Sequence, residues 1–416
     1  MQGFGRYLAA ALAARFASEG MGMAVVLLAL QRTGSAAYGA FVLTAWLAPH
    51  VLAAPLAGAA AARSRRPRLF HVGALAGFAT AVAVLSVLLG RAPTPVVLSV
   101  AVLGGSCGPM VTGGLSSLVA GLVPAGPARD RAYGWDASTY NGASVTAPAA
   151  VSLVAAFGSA GPAMALLAGS GALAAALAAT LPYGNPGSAT GAPRAGLGAG
   201  LVALWRIREL RAVTSATTLA FLGLGALTVT SVLLATSLGS PGGGGVLMTA
   251  FALGALTGSL TLGRITAVPP GRLARWAMAG TGVALTAAAF APGITLTAVA
   301  FAAAGVCDGP LLTATLRIRS EFAPDGVRTQ VFTLGAGLKV TAASTGAALV
   351  GLAVDAPPWT LLLAIAALQL VAVLLHVLVT VRGSARKAAA AGGPAATGPS
   401  AGSATAAAGP RSPGAP

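Results

Sequence analysis

Two uncharged apolar runs, Ala36 to Ala62 and Leu69 to Gly90, are separated by six residues, and four of those six are arginines: Arg63, Arg65, Arg66 and Arg68. Each run is long enough to cross a bilayer, which takes about 20 residues. A tight basic loop between two such runs stays on the cytoplasmic side, because Lys and Arg in short loops resist translocation. Composition leaves few alternatives: 416 residues that are 56% hydrophobic and 8% charged are far from the roughly 25% charged of a soluble domain. The net charge of +17 does not make a nucleic-acid-binding face. Its basic residues come in short clusters between apolar runs, as topology signals do.

Apolar stretches of helical length, bounded by polar, Pro or Gly punctuation, predict twelve spans. They lie at 7–30, 37–61, 69–90, 95–121, 134–157, 160–181, 210–238, 243–263, 272–291, 294–316, 328–353 and 358–380. The charges test this count. With the amino terminus inside, 21 of the 25 basic residues fall on the cytoplasmic side, Arg317 and Arg319 among them. Arg32 and Arg91 fall outside, and Arg15 and Lys339 fall within spans. So lopsided a distribution supports both the count and the orientation. The fold class is an all-α polytopic membrane protein of twelve transmembrane helices, embedded in the lipid bilayer of the cell membrane with both termini cytoplasmic. No cleavage-like site precedes the continuation of the first apolar run, so that span is expected to be retained. Cys107 and Cys307 both lie in apolar segments and read as reduced thiols rather than a disulfide or metal pair.

The chain divides into an N-terminal six-helix half (1–182), a cytoplasmic linker (183–209), a C-terminal six-helix half (210–382) and a tail (383–416). The linker opens on Gly, Pro, Ser and Ala, and Trp205 to Arg211 at its close is expected to form a short helix on the membrane surface. The tail, made of Ala, Gly, Pro, Ser and Thr, is expected to be disordered. Three matches in the same order relate the halves. Gly39-Ala-Phe-Val-Leu-Thr-Ala-Trp46 matches Gly244-Gly-Val-Leu-Met-Thr-Ala-Phe251, and Cys107-Gly-Pro-Met-Val-Thr112 matches Cys307-Asp-Gly-Pro-Leu-Leu-Thr313. Pro127-Ala-Arg-Asp-Arg131 with Trp135 matches Pro324-Asp-Gly-Val-Arg328 with Phe332.

This arrangement resembles the major facilitator superfamily (MFS) over roughly residues 5 to 382. That family carries G-x-L-A-D-R-x-G-R-R after its second helix. Gly58, Arg63 and Arg66 match it, Ala62 stands at the aspartate and Arg65 at the second glycine. A fainter second copy is Gly258, Leu260 and Arg264. Arg15-Phe-Ala-Ser-Glu-Gly-Met-Gly-Met23 with Thr33-Gly-Ser35 is similar to efflux members, and Ala143-x-x-x-Ala147-Pro148 stands where exporters have G-x-x-x-G-P. The resemblance implies two pseudo-symmetric six-helix bundles that rock about a midplane site.

Charges inside a bilayer cost about 2.5–3.5 kcal/mol each on insertion scales, so they usually face the bundle interior and serve a purpose. Arg15 and Glu19 are four residues apart on one helix face. They form either a permanent ion pair or a proton carrier, Glu19, with its charge partner Arg15. Asp308 and Lys339 are at similar depth in the tenth and eleventh spans. They form either a buried pair or a proton or substrate-cation site at Asp308 with Lys339 as its switchable partner. Asp136 lies near the inner surface and is expected to latch to the 63–68 arginines. It joins Gly58, Arg63, Arg66, Arg131 and Arg328 as the candidate cytoplasmic gate. Trp46 and Phe251, at matching repeat positions, with Tyr140, Asn141 and Gln369, are the candidate cavity residues.

The function expected is a secondary active transporter, exporting a small amphipathic molecule in exchange for protons by alternating access. No phosphate-cradling Gly-rich loop is present, so ATP is not expected to drive it. Neither a His-Glu-x-x-His nor a Gly-x-Ser-x-Gly motif occurs, so no enzyme is expected, and no cofactor or metal either. An uptake carrier of the same fold and a non-transporting sensor or scaffold stay open as alternatives. A monomer is expected.

Overall fold

The computed structural model describes residues 3–157, 159–183, 196, 198–240, 243–261, 265–353 and 355–391. Most of the expected linker with Arg194, as well as Arg264 and the tail beyond residue 391 with Arg411, lies outside the described residues.

In the first half the helices are α1 (Phe4–Thr33), α2 (Ala36–Leu47), α3 (His50–Arg63), α4 (Pro67–Leu88), α5 (Thr94–Ser106), α6 (Leu115–Leu122), α7 (Pro127–Ala156) and α8 (Ala160–Ala179). A short α9 (Ala199–Arg206) leads into α10 (Arg208–Ser237), α11 (Gly243–Leu260), α12 (Pro270–Ala289), α13 (Ile294–Phe322), α14 (Arg328–Gly351) and α15 (Pro358–Ala391). Two predicted spans are broken. The second divides into α2 and α3 where Pro49 withdraws a backbone donor. The fourth passes from α5 to α6 through a π-helical turn at Met110–Gly114, just after Pro109. By contrast, Pro148 and Pro310 lie inside α7 and α13, which continue past them.

Among the described residues, nine helices are long and apolar enough to cross a membrane. The other three crossings are α7, α12 and α14, of 30, 20 and 24 residues, enough at about 1.5 Å rise per residue for a hydrocarbon core of about 30 Å. α7 and α14 are less apolar because they carry the inward-facing polar groups described below. The expected surface helix is shifted: Arg208 to Arg211 form the first turn of α10, and the separate short helix is α9, upstream of it. α15 runs to Ala391, past the predicted limit of 380, through an alanine run of high helix propensity.

The two sets of six pack alike. α1 lies on α7 and α8, as α10 lies on α14 and α15. α4 lies on α5 and α8, as α12 lies on α13 and α15, and α2 meets α5 as α11 meets α13. Lipid tails offer helices no hydrophobic drive to associate, so close approach of small residues supplies the packing. At the α11–α13 crossing, a Cβ on Gly305 would overlap the Phe251 carbonyl and one on Gly258 that of Val306. The α10–α14 crossing uses Gly225 and Gly346 in the same way.

Candidate functional site

The two sets meet through α3 against α14 and through α7 against α11 and α13. These contacts lie toward the arginine-rich ends of the spans. A Cβ on Gly58 of α3 would reach within 2.8 Å of Gln330 Cα on α14, and one on Gly337 of α14 within 2.6 Å of Ala54 Cβ. Gly113, in the π-helical turn, lies against the Phe332 backbone. Hydrogen bonds cross between Ser117 and Thr329 at 3.2 Å, between Ser138 and Ser259 at 3.4 Å, and from Asn141 Nδ2 to the Ala255 carbonyl at 3.2 Å. α2, the other half of the second span, packs instead on α1 and α5 of its own set.

An ion pair fastens this end. Arg317 Nη2 on α13 meets Asp130 Oδ2 on α7 at 2.9 Å, and Arg317 Nη1 also donates to the Ile265 carbonyl at 3.4 Å. Of the gate residues expected from sequence, Gly58 is at the closure, but the charged latch differs. Asp136 does not meet the 63–68 arginines. It is fully buried, because its place ten residues into α7 turns it toward the interior of the first set. Arg63, Arg66 and Arg131 are exposed, and Arg328 pairs with its neighbour Asp325 at 2.9 Å rather than across the interface. Asp130→Asn is therefore expected to loosen the closure by about 1 kcal/mol, the scale of a partly exposed pair. With both native cysteines replaced, Ala54→Cys should then react about fivefold faster with a hydrophilic maleimide. An unchanged rate would show that the pair does not hold the closure.

Arg15 does not pair with Glu19. Its guanidinium reaches across to α7 and meets Asp136 Oδ1 at 2.8 Å and the Asp136 carbonyl at 2.7 Å, and also donates to Thr139 and to Ser116 Oγ at 3.0 Å. Ser116 donates to Asp136 Oδ2 at 2.7 Å, Tyr7 donates to Oδ1, and the Tyr140 ring lies 3.5 Å from the Arg15 Cζ. This network ties α1, α6 and α7 together, with Arg15 Nε left outside it. It also frees Glu19, which is solvent-accessible.

Above the closure, α1, the π-helical turn, α7, α10, α13 and α14 enclose a chamber of about 390 Å³. Glu19, Asp308 and Lys339 line it, as do Tyr140 and Asn141. Asp308 and Lys339 are brought to the same space, but among the described residues no ion pair joins Lys339 to Asp308 or Glu19. Instead Lys339 Nζ sits 3.9 Å from the centroid of the Phe221 ring, a cation–π contact. Asp308 Oδ1 is buried without a hydrogen-bond partner among the described residues. The reading as a closed, permanent pair is thus not realised.

Three expected cavity residues lie elsewhere. Trp46 is buried against Phe78, with ring centroids 5.1 Å apart, because its side of α2 faces α4 and α5. Phe251 packs in the core of the second set and Gln369 Nε2 donates to the Ala220 carbonyl at 2.9 Å, joining α15 to α10. The residue that sequence reading missed is Arg319. Counted with Arg317 as a cytoplasmic charge, it lines the chamber instead. Residues two apart on a helix do not face the same way, so Arg317 and Arg319 point one to the latch and the other to the chamber.

No protein-family model matches the sequence and no curated protein matches it. Solved structures do match. The human organic anion transporter MFSD10 (TETRAN) superposes with a TM-score of 0.72 at 15% identity, covering 90% of this chain and 98% of that one. A bacterial homologue of the iron transporter ferroportin, in an outward-facing state, gives 0.73 at 16% identity over 93% of this chain and 100% of that one. The E. coli fucose:proton symporter FucP gives 0.74 at 13% identity over 90% of this chain and 98% of that one. The chain is a multi-pass membrane protein that shares the fold of these structures, the major facilitator fold, with twelve crossings in two pseudo-symmetric sets of six.

Proposed function

We propose that the protein is a secondary carrier of the cell membrane that exports a small amphipathic solute by alternating access, in exchange for protons taken up on Glu19 or Asp308. The observation that carries this reading is the chamber itself. It lies between the two sets, is closed at the arginine-rich end, and brings together two acidic side chains that have no ion-pair partner among the described residues. Submerged carboxylates without such a partner are the groups a proton-driven carrier needs. The basic clusters orient the arginine-rich end and both termini toward the cytoplasm, so the closed state would face outward. Energy would come from the proton gradient, whose potential component is worth about 2.3 kcal/mol per charge per 100 mV.

The test is flux. Inverted vesicles containing the protein, given an inward-directed or outward-directed pH gradient, are presented with a panel of amphipathic solutes. Accumulation of one or more solutes that reverses with the gradient supports the reading. Downhill movement insensitive to the gradient in either direction would remove proton coupling, and absence of movement across the panel would favour a sensor or scaffold.

A further inference from the structure

Arg319 is 2% exposed, yet among the described residues its Nε and Nη2 have no hydrogen-bond acceptor. Arg15 and Arg317 also keep a bare Nε, but each meets an acid through Nη2, Arg15 at Asp136 and Arg317 at Asp130; among the described residues no ion pair is made by Arg319. Buried polar groups are almost always paired, and a buried cation most of all. Nε and Nη2 are also the two nitrogens on one edge of the guanidinium fork, whose spacing matches the two oxygens of a carboxylate.

The guanidinium is seated closely against the facing helix. A Cβ on Gly335 of α14 would overlap the guanidinium, so a side chain there would displace it. Lys339 follows one turn later on the same face of α14 and lines the same chamber. The chamber's carboxylates sit further up. Asp308 is eleven residues from Arg319 along α13, about 16 Å of helix rise. The floor of the chamber at Arg319 is therefore cationic, with Lys339 and Asp308 at similar depth above it, and Tyr140, Phe221 and Phe332 give the chamber aromatic walls.

We infer that the Arg319 guanidinium, seated over Gly335, is the docking point for an anionic group of the substrate, a carboxylate or similar planar anion borne on a small apolar or aromatic body. This rests on the reading of the chamber as a transport site and adds to it the charge of the solute. A volume of about 390 Å³ is at the small end of ligand pockets, in keeping with a compact organic acid.

Acid and amide pairs of the same shape provide the test. Full-length protein in phosphatidylcholine nanodiscs is titrated with benzoate against benzamide and octanoate against octanamide, with binding read by microscale thermophoresis. Each acid is expected to bind at least tenfold more tightly than its amide, and Arg319→Gln to weaken acid binding about 10- to 100-fold while leaving amide binding as it was. Gly335→Ala keeps the charge but displaces it, and should weaken acid binding to an intermediate degree. It keeps the test alive if Arg319→Gln does not fold. Equal affinity for acid and amide, no binding of any acid, or an acid preference that survives Arg319→Gln would overturn the inference. So would loss of acid binding when a fifth of the lipid is phosphatidylglycerol, which would assign the anion to a lipid headgroup. Acid binding without flux in vesicles would leave the site standing and remove the carrier reading. Gradient-driven flux of neutral solutes that is indifferent to Arg319→Gln would do the reverse.

Discussion

Replacement of Asp136 by alanine is expected to lower stability by about 3–5 kcal/mol, the cost of removing one partner of a buried ion pair. Whole proteins are stable by only about 5–15 kcal/mol, so little folded material should be recovered. The size of the effect follows from what the carboxylate does. It accepts hydrogen bonds from Tyr7, Arg15 and Ser116 at the junction of α1, α6 and α7, and its loss leaves a guanidinium with 1% exposure facing no countercharge. Fluorescence-detected size exclusion after heating reads the result. Asp130→Ala, at a pair whose acid is 33% exposed, should cost a small fraction of this. Removing both charges together, Arg15→Leu with Asp136→Leu, should recover part of the loss, because no charge is then stranded. An Asp136→Ala protein as stable as the wild type would show that the network does not hold the first set together.

Asp308→Asn is expected to abolish proton-driven accumulation while sparing solute exchange. If each solute molecule is exchanged for one proton, the proton's own charge at 100 mV is worth about 2.3 kcal/mol, or about 50-fold in concentration ratio, in addition to whatever the charge of the solute contributes. A neutral amide cannot carry that proton, so the proton-driven part of the ratio should be lost. Exchange of labelled for unlabelled solute needs the chamber but not the gradient, and should persist. Asp308 is chosen over Glu19 because its Oδ1 is buried and without a hydrogen-bond partner among the described residues, whereas Glu19 is already open to solvent. If Glu19→Gln abolishes accumulation and Asp308→Asn does not, the proton site moves to α1. Accumulation surviving in both variants would contradict proton coupling through the chamber's carboxylates.

The crossings were legible because the bilayer fixes their length and the basic residues fix their ends. What the sequence hid were matters of rotation and of distant partners. Arg15 has Glu19 one turn away, and only the packing of α1 on α7 shows that Asp136 takes the guanidinium instead. Arg319 sits three residues from the end of α13, where a basic residue reads as a surface charge, and only the facing Gly335 lets its long side chain turn back into the chamber. The pairing of Trp46 with Phe251 from the internal match was sound as a repeat, yet equivalence between halves says nothing about which way a side chain faces. Asp308 and Lys339 were legible because a charge in an otherwise apolar span has few other places to go. Breaks at Pro49 and Pro109 were not, since Pro148 and Pro310 lie in helices that continue.

Alternating access is tested most directly by distances at the two ends of the bundle. With Cys107 and Cys307 replaced, spin labels at Ala125→Cys and Pro324→Cys report the arginine-rich end, and labels at Thr33→Cys and Ser237→Cys report the other. Double electron–electron resonance should find a short distance at the first pair together with a long one at the second. Lowering the pH or adding a transported solute should populate the opposite combination. A single distance at each end, unmoved by either, would contradict the account.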